Sequence, residues 1–236
     1  RSLRLEAHAD YWAGRPSVPT VVFQVVPDDA AMWTEARRLA PSIVFSPTRS
    51  TWAAHRKDDG FVLVERPGLA VHFLALRVGG GPGNPLSDVR VRRALRAAID
   101  YRKLVSVVPA EGAFPASQFV PPAIVGFNPS LSVPAFVPGG ARRLLAEAGF
   151  RQEEPLRFLV AASGGPLVKE IVDALEGAGV RLKVEPAGPE ELDRRSLACD
   201  ADLFFSGWIC STGDAGELFE GNFSRNASQP NPCGYG

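Results

Sequence analysis

The chain has 236 residues, and its 26 basic and 26 acidic side chains leave no net charge. A chain of this length can bury roughly 70% of its unfolded surface in one core or two. Charge balance leaves no global field to attract nucleic acid or an anionic membrane, and no apolar run approaches the roughly 20 residues that cross a bilayer.

In chain order, Asp10-Tyr11-Trp12-Ala13-Gly14-Arg15-Pro16 is a turn-rich lead. Residues 20–26 are β-branched enough to predict a buried strand. Asp28 or Asp29 then caps a helix running to about Leu39. Residues 42–46 predict a short apolar strand, 50–57 a short helix, 61–64 a strand, and 71–77 the last strand before a break. Gly79-Gly80-Gly81-Pro82-Gly83-Asn84-Pro85 is the sharpest composition shift and is read as a linker or hinge. A phosphate cradle is disfavoured there, because no Gly-Lys-Ser/Thr follows and the spacing is not that of a dinucleotide site.

Residues 84–100 predict an amphipathic helix. Ser87 or Asp88 can cap its free amide donors. Val91, Ala94, Leu95, Ala98 and Ile99 recur at helical spacing, while Arg90, Arg92, Arg93 and Arg96 form a basic outer edge. Residues 109–140 are rich in Pro, Gly and scattered Phe, as expected of a long irregular segment draped over a core. Residues 141–150 predict a helix stopped by Gly149. A strand over 156–161, a helix over about 166–176 and a strand over 180–185 have the length of a right-handed parallel crossover. A helix over 189–198, a strand over 201–208 and a helix over 215–220 follow. Such alternation predicts an α/β fold.

Candidate chemistry is sparse. None of the three histidines, His8, His55 and His72, has a nucleophile setting. His72 is read as a structural residue in an apolar strand, and His8 and His55 as exposed. Asp28-Asp29, Asp58-Asp59 and Glu153-Glu154 are read as caps or solvated charges. Cys199, Cys210 and Cys233 are spaced eleven and twenty-three apart, which fits no zinc pattern. A Cys210–Cys233 disulfide is the first choice, and three reduced thiols with Cys199 packed is the alternative. No cofactor, metal or catalysis is expected. The best ligand candidates are Phe205, Trp208, Ser211 and Asp214, at and beyond the end of the last strand, where α/β proteins place ligands and where an aromatic ring beside small polar groups suits stacking and directional hydrogen bonding. Equally, Trp208 can pack in a core and Asp214 can cap the next helix.

The string from Asn84-Pro85-Leu86-Ser87-Asp88-Val89-Arg90-Val91-Arg92 to Ile99-Asp100, continued by Tyr101-Arg102-Lys103-Leu104, resembles the solute-binding proteins of peptide, oligopeptide and nickel ABC transporters, the family 5 extracellular binding proteins. Similar to the same family are Asp10 to Pro16, Pro115-Ala116-Ser117, Val120-Pro121-Pro122, Gly126-Phe127-Asn128-Pro129, the Leu144-Leu145-Ala146-Glu147-Ala148-Gly149-Phe150 helix end, and Gly207-Trp208. The resemblance implies periplasmic-binding-protein-like type II lobes with mixed sheets flanked by helices, one lobe incomplete in this internal portion. Partial lobe I covers 1–78, a hinge 79–84, lobe II 85–208, and a return crossing 209–236. It further implies a periplasmic or extracellular monomer, exported through a signal peptide or lipid anchor in its parent. Such a protein holds a small solute, peptide-like or a nickel complex, between two lobes and delivers it to membrane permease subunits.

Departures from the pattern bear on the ligand. Arg77 or its neighbour stands where the family has Asn, and Ala215 where it often has Pro. Ser211 stands where peptide binders have an acid that pairs with the ligand's amino terminus. A hydroxyl cannot neutralise an ammonium, so Asp214 substitutes from a shifted position or the ligand is not a free peptide. A ligand-sensing domain of a transcription regulator is the alternative function; an α/β hydrolase lacks a visible nucleophile and base.

Overall fold

The structure, a computed structural model, describes residues 1–39, 41–45, 49–108, 112–137, 139–162, 164–223 and 233. They divide into two units, one formed by Arg1–Val64, the other by Glu65–Val108 with Gly112–Gly236.

In the first unit, β1 (Ser2–Glu6) and β2 (Thr20–Gln24) pair antiparallel, with Leu3 opposite Phe23 and Leu5 opposite Val21. The strand expected over 20–26 therefore forms, but it is not buried: Val22 is 52% and Phe23 50% exposed. A two-stranded ribbon has no second layer of its own to cover its apolar side. Next comes α1 (Asp29–Arg38), capped by Asp28, whose Oδ1 accepts the Ala31 N–H at 2.7 Å. Its Trp33 is buried, with the ring stacked on His55 of α2 (Arg49–His55) and meeting the edge of Phe61. His55, expected to be exposed, is thereby half-buried. Asp58 bonds His55 Nδ1, the Gly60 N–H and Arg37, and the His55 bond leads in holding its carboxyl at about 2. The strands expected over 42–46 and 61–64 do not form. Residues 41–45 and 61–64 are irregular, with Ile43 and Val62 strongly exposed, because neither apolar run finds a partner strand; Ser46 lies outside the described residues.

The second unit is built on a sheet of order β3-β6-β4-β5, comprising β3 (Ala70–Leu76), β4 (Leu156–Ala161), β5 (Leu182–Ala187) and β6 (Leu203–Ile209). β4 runs parallel to β5 and β6, and β3 antiparallel to β6. β3 is an edge strand of this sheet. Around the sheet lie α3 (Val89–Ala98), α4 (Tyr101–Ser106), α5 (Gly140–Glu147), α6 (Gly165–Gly177), α7 (Pro189–Leu197) and α8 (Gly216–Asn222). The expected face of α3 is the buried one, with Val91, Ala94, Leu95, Ala98 and the following Ile99 in one core with Phe158, Ile171, Leu175 and Leu203. Asp88 is the cap, accepting the Arg90 N–H at 2.7 Å, whereas the Ser87 hydroxyl donates to the Asn84 carbonyl. A smaller cluster on Leu159 and Phe204 includes Cys199, Ala187 and Ala201. This is α/β alternation of the expected kind, with a mixed sheet flanked by helices. Among the described residues no helix is long and apolar enough to cross a membrane.

Asn84 is the buried polar residue of the 79–84 stretch. Its Nδ2 donates to the carbonyls of Arg77 and Gly79, and its Oδ1 accepts the Leu86 N–H, which folds the chain between β3 and α3. Residues 112–137 are irregular and drape over a core as expected: Val120 and Ile124 are buried with Cys210, Ala215 and Leu218.

The cysteine expectation is corrected. Cys199 pairs with Cys233, and Cys210 is free and buried. Cys210 Sγ is turned into its own loop, where it accepts the Gly213 N–H at 3.1 Å, so it is not presented to Cys233. Residues 224–232 and 234–236 lie outside the described residues.

Gly149 closes α5 at φ +71°, donating its N–H to Ala146, while the next residue, Phe150, bonds back to Leu145. This left-handed closure puts a Cβ in conflict with the carbonyl that follows. A Cβ at Gly149 would meet nothing within 4 Å, so Gly149→Ala isolates the backbone effect. It is expected to cost about 1 kcal/mol in the unfolding free energy measured in urea. An unchanged or raised midpoint would refute this account of the helix stop.

Candidate ligand site

The period of two along β6 separates its side chains into two sets. Trp208 packs beside Val120, Ile124, Cys210 and Leu218, whereas Phe205 packs against the large core on the other face. The Phe205 ring lies nearly parallel to His72, with centroids 6.0 Å apart. The structure therefore brings Trp208, Ser211 and Asp214 to one end of the strand and places Phe205 on the opposite face. His72, read from sequence as a packed structural residue, is exposed and lies across Gly207, where an added Cβ would come within 2.7 Å of its Nδ1.

One edge of β6 is open. β4 reaches only Leu203 and Phe204, so residues 205–209 have no partner strand on that side among the described residues. The Cys210 N–H bonds the Leu69 carbonyl and the Arg77 N–H bonds the Asp202 carbonyl. Antiparallel alternation between those points turns the main chain of Ser206 and Trp208 toward β3, and that of Phe205, Gly207 and Ile209 outward.

Beyond β6 the chain wraps around a carboxylate that the sequence reading passed over. Glu217, in the first turn of α8, takes five hydrogen bonds on Oε2: from the N–H and hydroxyl of Ser211 at 3.1 and 3.0 Å, from the N–H and hydroxyl of Thr212 at 3.1 and 3.0 Å, and from the Cys210 thiol at 3.8 Å. Among the described residues Oε1 has only the Ser211 N–H, at 3.4 Å. Desolvation pushes the Glu217 carboxyl up, but the donors on Thr212 and Ser211 outweigh it and hold the group below the usual glutamate range. Half-buried carboxylates elsewhere in this unit have cations beside them: Arg77 on Asp202, Lys103 on Glu170, and Arg157 and Arg195 on Glu185. Among the described residues Glu217 makes no ion pair. Asp214, by contrast, is exposed and accepts the Gly216 N–H at 2.7 Å, while the N-cap position of α8 is held by Ala215. The available signal for Glu217 was the Ser211-Thr212 pair five and six positions before an acid at a helix start.

Over 218 residues the chain is 26% identical to the di/tripeptide-binding protein 2 of Pseudomonas aeruginosa, covering 90% of this chain and 40% of that protein. Over 234 residues it is 25% identical to the dipeptide-binding protein of Escherichia coli, covering 96% of this chain and 43% of that protein. Among solved structures, HbpA2 from Haemophilus parasuis superposes with a TM-score of 0.80 at 24% identity, over 98% of this chain and 46% of that one. The fold is thus that of these binding proteins, and the chain spans about two fifths of the length of the curated relatives it matches. Residues 1–230 match the model described as bacterial extracellular solute-binding proteins, family 5 Middle, and the chain belongs to that family.

Proposed function

We propose that the chain is part of the substrate-binding component of an ABC importer, which works outside the cytoplasm, performs no catalysis and hands a peptide-like solute to a membrane permease. The observation that carries this reading is the open edge of β6 followed by a carboxylate with no counter-cation. An extended peptide can add to such an edge through its main chain, which is sequence-tolerant recognition. Its amino terminus then meets Glu217, whose less occupied Oε1 supplies the charge that Ser211 cannot. Ser211 and Thr212 act as positioning residues that keep Glu217 ionised, with Trp208 beside them. The names of the relatives, a di/tripeptide-binding and a dipeptide-binding protein, support a peptide class. The partition into lobe I, hinge and lobe II at 78 and 84 belongs to the same proposal.

Calorimetric titration with an unblocked dipeptide or tripeptide and its N-acetylated form tests it. The unblocked peptide is expected to bind at least tenfold more tightly, and Glu217→Gln to remove most of that preference. Equal affinity for both forms would refute the ammonium contact. Binding by neither would refute the peptide class.

A further inference from the structure

We infer that the Cys199–Cys233 disulfide is a redox-releasable strap that holds the Val78–Gly79 turn to the end of α7. Three helices of the second unit end in the same way. Gly149 after α5 and Gly179 after α6 adopt positive φ, donate back into the last turn, and are followed by a residue whose N–H reaches one carbonyl further back. After α7 the same bonds are made by Cys199, to Ser196, and by Asp200, to Arg195. Among the described residues Cys199 is the non-glycine residue with positive φ, at +49°. A side chain is disfavoured at such a position. A cysteine is kept there for its sulfur, and that sulfur is bonded to Cys233.

The far end of the bond does specific work. The Cys233 carbonyl accepts the N–H groups of Val78 at 2.8 Å and Gly79 at 3.0 Å, the residue after Arg77 and the first of the glycine run. The other restraints on this turn are independent of the disulfide: Arg77 pairs with Asp202, and Asn84 holds the carbonyls of Arg77 and Gly79. Val78 and Gly79 are half-buried, so water can replace the Cys233 carbonyl when it leaves. Release is therefore local in its demands.

The chemistry is exchange with a dithiol reductant. Cys199 is buried and Cys233 half-exposed, so a reductant thiolate attacks Cys233 Sγ. The S–S bond breaks, Cys199 leaves as a thiolate and takes a proton, and the second reductant thiol closes on the first, freeing Cys233 as a thiol. Two electrons and two protons pass from the dithiol, which is oxidised to its disulfide.

Amide hydrogen exchange on the 236-residue chain, with and without dithiothreitol, tests the strap. In the reduced protein, identified by its gain of two mass units, Val78 and Gly79 are expected to exchange at least tenfold faster, while Phe158 and Leu159 in β4 stay slow. Cys233→Ser should match the reduced protein and be insensitive to reductant, and Cys199→Gly should do the same without the left-handed penalty. Unchanged protection at Val78 and Gly79 after verified reduction would overturn the inference. So would loss of β4 protection together with theirs, because the bond would then be a staple for the whole unit.

Discussion

Phe158→Ala is expected to lower the unfolding free energy by about 3–5 kcal/mol, the largest effect of any single substitution considered. Phe158 is fully buried in β4, the strand flanked by both β5 and β6, and lies opposite Val184 on one side and Leu203 on the other. Its ring shares a core with Leu95, Ile171 and Leu175, which come from helices on the same side of the sheet. Truncation loses the transfer free energy of the ring and leaves a void, and neighbours held by backbone ladders and helix packing can fill only part of it. Against a total stability of roughly 5–15 kcal/mol, such a loss is a large fraction. Urea unfolding should show a shifted midpoint with an unchanged slope. Val184→Ala is the control: in the same sheet but 40% exposed, it should cost under about 1 kcal/mol. Similar costs for both substitutions would mean that the core is not centred on β4.

The elements most legible in the sequence are those whose partners lie within the chain. α3 shows all its buried positions because Val91, Ala94, Leu95 and Ala98 meet a complete layer, and β4 has the predicted bounds because strands pair on both of its sides. Residues 42–45 and 61–64 carry strand-like composition yet stay irregular, since β-propensity describes fit to a pleated, half-covered surface and no such surface is offered to them among the described residues. β2 forms, but its burial was not predictable from Val21, Val22 and Phe23 alone, because burial depends on a second layer that composition does not reveal.

The site was half legible. Gly207-Trp208 marked the strand end, and the absence of an acid at 211 showed a missing charge. The proposed replacement is hidden because Glu217 reads as an ordinary first-turn helix acid until the fold wraps Ser211 and Thr212 around it. Phe205 was grouped with Trp208 on proximity in sequence, and an odd separation along a strand puts the two on opposite faces. The disulfide was misassigned for a related reason: Cys210 and Cys233 flank one loop-rich stretch, but orientation decides pairing, and Cys210 points into a hydrogen-bonded turn.

Glu185→Gln should lower stability by about 1.5–3 kcal/mol at pH 7, and the gap should close in acid. The Glu185 side chain is 14% exposed and receives Arg157 Nε at 3.1 Å, Arg195 at 2.5 Å and Lys183 Nζ at 3.2 Å. Hydrogen bonds from Arg157, then Arg195, outweigh desolvation and lower its carboxyl from 4.5 to about 2. A carboxyl whose folded value lies below its unfolded one binds more protons when unfolded, so its contribution is complete above about pH 5 and drains away as pH falls toward 2. Glutamine keeps the shape but leaves Arg195, 12% exposed, with only Asp200 and Glu191, both more exposed than Glu185, as acidic partners among the described residues. Wild type also has Asp58 and Asp200 titrating in the same direction, so raw acid sensitivity does not isolate Glu185. The difference between wild type and variant removes Asp58, which is common to both, and leaves the cluster itself, in which Asp200 shares Arg157 and Arg195 with Glu185. That difference should therefore be largest near neutrality and fall below about 0.5 kcal/mol only by about pH 2 in matched urea titrations. A gap that stays constant with pH would mean that glutamine acts through shape or packing, and that the Arg157–Glu185–Arg195 cluster contributes little through its charge.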